Sequence, residues 1–194
     1  MEVKTTKNPA QFLSWWQQIT ASLYIDNELA IKHGEGFDPV FFQSGMIVLS
    51  DGKISGCIAV FDNPGLMYHG LGAAAVGKFE CTEDPELSHL LIQSTINEAI
   101  ESDKQYIIGP LDGSTWDAYR YPLPSPKPMM FTEGVYKPWY IESFVREGFE
   151  TIGEYLTQLD TTLEIDYEKN RRAKQYIAGK QVTFRTIDID RYEE

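Results

Sequence analysis

The chain predicts an α/β fold built on a mixed, twisted sheet, with an antiparallel hairpin near its start and a central β-α-β unit. Two stretches carry that expectation. Gly45–Phe61 places strand-like Met46–Leu49 and Ile54–Phe61 on either side of Asp51–Gly52, a strong two-residue turn signal. Gly77–Ser114 reads as strand end, tight loop, helix and short strand. A β-α-β unit of this length makes two parallel strands with a right-handed crossover, and ligands of such units sit at the carboxyl ends of the strands.

The remaining elements follow in order. Met1–Lys7 is polar, an opening strand or an arm. Phe12, Trp15, Trp16 and Ile19 recur at helical spacing after Pro9, and the Trp pair reads as a core anchor. Leu23–Ile31 predicts a short second helix ending at Gly34, and Glu35–Ser44 a loop with an apolar Pro-Val-Phe-Phe cluster. Gly70, Gly72 and Gly77 suggest a bulge or a close backbone approach before the strand end at Lys78–Cys81. Thr82, the early carboxylates and Pro85 are helix-start signals, and Leu87, Leu90, Leu91, Ile96 and Ile100 form one apolar stripe. Tyr106–Ile108 is a short strand stopped by Gly109–Pro110. Pro-rich Tyr121–Met130 reads as an extended loop, Lys137–Gly148 as a helix, Phe149–Leu159 as a strand, Tyr167–Ala178 as a charged helix and Gln181–Ile189 as a strand-like segment.

Composition narrows the function classes. With 194 residues, 42% of them hydrophobic, one packed domain is expected, with or without a tail. A net charge of −12 leaves no basic excess to displace counterions from a nucleic-acid backbone, and Asn170–Lys174 reads as a solvated helix face. No apolar run approaches a membrane-spanning length, and the N-terminus lacks a signal-peptide pattern. Cys57 and Cys81 have no Cys-x-x-Cys spacing and read as reduced core residues, so a cytoplasmic protein is expected. His33, His69 and His89 have no ligand spacing, so no metal site is expected.

The order of elements resembles the GNAT superfamily of N-acetyltransferases. The resemblance is carried by Asp51–Gly56 in the hairpin, by Gly77–Pro110, and by Tyr140–Phe149, over about residues 10 to 160. Phe79–Glu80, Glu83–Asp84, and Ile107–Pro110 followed by Asp112 and Ser114 are most similar to a group of larger, poorly characterised GNAT-like proteins with an Ile-x-Gly-Pro motif. Asp38–Pro39 and Phe41–Phe42 also resemble that group. The resemblance implies splayed parallel strands and an acyl-CoA-dependent N-acyltransferase-like protein of unknown substrate, using acetyl-CoA or another acyl-CoA. It implies a GNAT-like domain over 1–160. Residues 161–194 either complete its sheet or open a second GNAT-like half, and a homodimer is also left open.

The site that the resemblance implies has its cofactor groups at Gly77, Lys78, Phe79, Glu80, Cys81, Thr82 and Gly109. Ser114, Thr115, Trp116, Tyr119 and Arg120 would edge a small-molecule substrate cleft. Tyr140, Asp112 and Ser114 are the catalytic candidates, none at a motif position, because the superfamily's usual acid position holds Phe144 here. Asp112–Gly113 reads equally as a turn, and Arg120 as a surface partner of Asp117 or Glu133. The superfamily's pyrophosphate loop, Gln/Arg-x-x-Gly-x-Gly/Ala, is replaced by Thr82–Glu86. That segment offers no glycine, a proline without N–H, and three carboxylates, which argues against ordinary coenzyme A binding. The alternative is a non-catalytic GNAT-fold domain that binds a ligand or partner.

Overall fold

The computed structural model describes residues 1–33, 38–124, 133–156 and 167–180. The chain divides into two compact units, Met1–Thr151 and Ile152–Glu194.

In the first unit, β1 (Glu2–Thr6), β2 (Phe42–Ser50), β3 (Lys53–Phe61) and β5 (Leu71–Cys81) lie side by side in antiparallel order. Asp51 and Gly52, both at positive φ, make the β2–β3 turn as the sequence predicts. The far edge of β5 is divided between two short strands. β4 (Met67–Tyr68) pairs antiparallel with Leu71 and Gly72, and β6 (Tyr106–Ile108) runs parallel from Ala73 to Ala75. The sheet is therefore mixed, with its parallel pair where the β-α-β reading places it.

Helices cover both faces. α1 (Pro9–Leu23) starts at Asn8, whose carboxamide accepts from Ala10 and Gln11 N–H, and α2 (Asp26–His33) follows it. Phe12, Trp16 and Ile19 of α1 pack on Ile47, Cys57, Ala59, Phe61 and Ala75, so Trp16 is the core anchor expected of it. On the opposite face, α3 (Pro85–Glu101) and α4 (Trp139–Arg146) bring Leu87, Leu91, Ile92, Tyr140 and Phe144 onto Val48, Ile58, Val60, Val76 and Phe79.

The strand expected at Phe149–Leu159 does not form over its described part. Residues 149–156 are irregular, with Tyr155 and Leu156 exposed. Alternation alone does not make a strand without a partner edge to bond to, and the described residues supply none. Residues 157–159, the segment Gln181–Ile189, and the greater part of the Pro-rich loop (125–130) lie outside the described residues. In the second unit, α5 (Tyr167–Ala178) is exposed throughout its basic stretch, a solvated helix.

Candidate functional site

β5 does not keep a single alternation. Ala59 pairs with Gly77, but Cys57 pairs with Glu80, so one extra residue sits in β5 between them. Lys78 absorbs it at φ 47, and the side chains change parity there. Before the bulge, Ala74 and Val76 face α3 and α4; after it, Phe79 and Cys81 do. The bulge thus turns Lys78 and Glu80, both buried, towards α1 and α2.

Two ion pairs result. Glu80 Oε1 meets Lys32 Nζ at 3.1 Å, with both side chains almost fully buried. Its Oε2 accepts from the Tyr24 and Tyr140 hydroxyls, each at 2.7 Å. Lys78 Nζ meets Asp112 Oδ2 at 2.9 Å and lies 4.9 Å from the Trp16 ring centroid. Burying paired charges is tolerable only when the remaining lone pairs and protons are met, and here Lys32, Tyr24 and Tyr140 converge on Glu80. Burial first, and then the Glu80 carboxylate, push the Tyr140 hydroxyl well above its ordinary value.

Lys32, Lys78, Glu80 and Asp112 line a chamber of about 10 Å³, room for one water, together with Phe79, Pro110, Ala118, Tyr121 and Tyr136. The buried Tyr121 hydroxyl, which lines it, has no hydrogen-bond partner among the described residues. A much wider, open groove of about 900 Å³ lies between α1 and the outer sheet, lined by Trp15, Leu23, Ile54 and Lys53 among others. Of the cofactor and catalytic candidates, it touches only Thr82.

Beyond the last parallel pair, Ala75 with Ile108, the free edge of β5 is taken up atom by atom. The Leu111 N–H donates to Val76 O at 2.8 Å. The Lys78 N–H donates to Asp112 Oδ1 at 2.8 Å, and the Cys81 N–H to the Tyr140 hydroxyl at 3.1 Å. Gly77 makes this possible. A Cβ there would strike the Asp112 carboxylate and stand 2.8 Å from the Leu111 carbonyl oxygen. Gly109 is equally confined, since a Cβ would come within 2.9 Å of Val76 O.

The N-terminus of α3 is closed in the same way. Asp84, not Thr82, is the N-cap. Its carboxylate accepts from the Glu86 N–H at 2.9 Å and the Leu87 N–H at 3.3 Å, and Pro85 in the first helical position has no N–H to offer. Thr82 instead donates its hydroxyl to Ser55 O at 3.2 Å. Asp84→Ala is expected to lower stability by about 1 kcal/mol, read from the denaturant midpoint at unchanged slope.

Cys81 stands beside this cap. Burial first, then the Asp84 and Glu80 carboxylates, push its thiol up to about 12. The folded protein therefore holds this proton where an unfolded chain has lost it. The stability linked to it is full below the ordinary thiol value of about 8.5 and declines as pH rises towards the folded value. Iodoacetamide at about pH 9 is expected to modify Cys81 far more slowly than an exposed thiol, with labelling counted by mass spectrometry.

The structure separates the residues that the sequence groups together. Asp112, Tyr140, Lys78, Phe79 and Glu80 meet at or beside the chamber. Ser114, Thr115, Trp116, Tyr119 and Arg120 do not line it. They form a small hairpin closed by the Leu111–Tyr119 bridge, in which Ser114 Oγ bonds Asp117 Oδ2 at 2.9 Å and Trp116 is 97% exposed. Arg120 pairs with Glu133 at 3.3 Å, the surface reading of it. Lys32, Tyr121 and Tyr136 line the chamber, and Tyr24 bonds Glu80 beside it, without any sequence signal that groups them.

No protein-family model matches the chain, and no curated protein matches it in sequence. Among solved structures, the chain is similar to an aminoglycoside acetyltransferase from an uncultured soil metagenomic sample, with 11% identity over 84% of this chain and 100% of that one, at a TM-score of 0.49. It is also similar to a ribosomal-protein-alanine N-acetyltransferase from Brucella melitensis biovar Abortus 2308, with 11% identity over 82% and 100%, TM-score 0.43. A third is a predicted acetyltransferase with acetyl-CoA from Clostridium acetobutylicum, with 13% identity over 84% and 99%, TM-score 0.45.

Proposed function

We propose that this chain is a ligand-binding domain on an N-acyltransferase-like scaffold whose cofactor cleft is filled by its own side chains. One observation carries the reading. The three places where coenzyme A would meet unpaired backbone N–H groups are already bonded internally: Lys78 N–H to Asp112, Cys81 N–H to Tyr140, and the first turn of α3 to Asp84. A thioester arm needs the first two free and a pyrophosphate needs the third. The residues present do not fit the group, because the carboxylates of Asp84 and Asp112 occupy these N–H groups with negative charge of their own.

A second reading, an acyl-CoA-dependent N-acyltransferase, is favoured by a different observation. A carboxylate and a phenol, Glu80 and Tyr140, are joined at 2.7 Å at the open end of the parallel pair, a combination suited to taking and returning protons. Calorimetric titration with acetyl-CoA and with coenzyme A separates the two. The binding-domain reading expects no heat of binding up to about 1 mM, near −4 kcal/mol of affinity. Saturable micromolar binding would overturn it in favour of the enzyme.

A further inference from the structure

The helix α2 has little apolar reason to lie where it does. Its sequence is DNELAIKH, Ile31 is 49% exposed, and Ile25 just before it is 70% exposed. Over residues 26–32 Leu29 is half-buried, and the one fully buried side chain is that of Lys32, an ammonium on a four-carbon stem. An apolar stripe is what ordinarily holds a helix to a core; here the anchor is a charge.

The surroundings of that charge are specific. Lys32 Nζ stands 3.1 Å from Glu80 Oε1, 3.9 Å from the Tyr136 ring centroid and 5.3 Å from that of Tyr24. The Tyr24 and Tyr140 hydroxyls fix the carboxylate from its other oxygen. A carboxylate with aromatic faces around one ammonium is how proteins recognise alkylammonium groups, because the ring quadrupole and the full charge act on the same desolvated cation. The chamber continues past Lys32 to the buried Tyr121 hydroxyl, a polar group available to the body of a ligand. Among the described residues, Glu28 of α2 also pairs with Lys137 at 3.4 Å, and that pair is partly exposed.

We infer that Tyr24, Tyr136 and Glu80 form an alkylammonium-binding site, and that Lys32 is its tethered occupant. The chain holds its own chamber shut until a ligand ammonium displaces Lys32 and α2 moves off. No bond is made or broken; one ammonium replaces another. This names the ligand class for the binding domain proposed above and rests on that reading. Because the site is open only in the fraction of molecules with Lys32 withdrawn, external affinity is lowered by that fraction, and removing Lys32 restores it.

Methylammonium chloride is the probe, with sodium chloride at equal ionic strength as its control. In the unmodified protein, amide exchange over residues 26–32 is expected to quicken saturably with methylammonium, while residues 79–81 of β5 stay unchanged. The Lys32→Ala variant is expected to bind methylammonium about tenfold tighter or better, seen as a larger rise in thermal midpoint than in the unmodified protein. Equal exchange of α2 in the two salts overturns the inference, and it does so even if Lys32→Ala fails to fold. A folded Lys32→Ala that methylammonium does not stabilise overturns it as well. Acetyl-CoA binding in the calorimeter would remove the binding-domain reading whatever methylammonium does. Salt-indifferent exchange would remove this inference and leave that reading standing.

Discussion

Glu80→Ala is expected to lose about 3–5 kcal/mol of stability, a large part of what a domain of this size possesses. The carboxylate is almost fully buried and is the common acceptor for Lys32, Tyr24 and Tyr140. Removing it takes from a buried ammonium its carboxylate partner and from two hydroxyls their common acceptor in a desolvated space, and the loss at the ammonium dominates. Chemical denaturation should show a lower midpoint with little change of slope. The double variant Glu80→Met with Lys32→Met should recover most of the loss, because taking out both charges removes the desolvation cost along with the attraction. A double variant as unstable as the single one would mean that Glu80 matters through packing rather than charge.

Asp112→Ala comes next, with an expected loss of about 3–5 kcal/mol, since Lys78 is left buried without its carboxylate. Its consequence differs from that of Glu80. Asp112 also accepts the Lys78 N–H, so the edge of β5 opens where the parallel strands part. The Lys78 amide should then exchange faster than in the unmodified protein, while amides on the β3-facing edge keep their protection. If the Lys78 amide stays as protected as before, Asp112 is not what closes that edge.

Much of the fold can be read from the residues. Asp51–Gly52 specifies the hairpin, Phe12, Trp16 and Ile19 the buried face of α1, and Leu87 and Leu91 the buried face of α3, though Ile100 of the expected stripe is exposed and Ile92 outside it is buried. The start of α3 was also legible, though not where Thr82 pointed. Pro85 fits the first helical position, which makes the residue before it the cap, and that residue is Asp84. The chamber was less accessible. The bulge falls on Lys78, a residue with no preference for positive φ, so nothing local marks the change of parity that sends Glu80 inward. Lys32 sits on a polar helix where a solvated lysine is the ordinary expectation, and its partner lies 48 residues away in the chain (80 less 32). Pairing at that distance is a property of the packed fold. Ser114 and Arg120 mislead for the opposite reason: polar residues after a strand end suit a site and a capped hairpin equally, and here they make the hairpin.

Amide exchange at Lys78, Cys81, Glu86 and Leu87 tests the claim that the edge and helix start that coenzyme A would need are bonded internally. With and without about 1 mM acetyl-CoA, a concentration chosen to reveal even weak affinity, the expected result is the same slow exchange at Lys78 and Cys81 and no change at Glu86 or Leu87. Rapid exchange at these amides in the free protein, slowed when acetyl-CoA is added, would contradict the claim and identify the cleft as a working cofactor site.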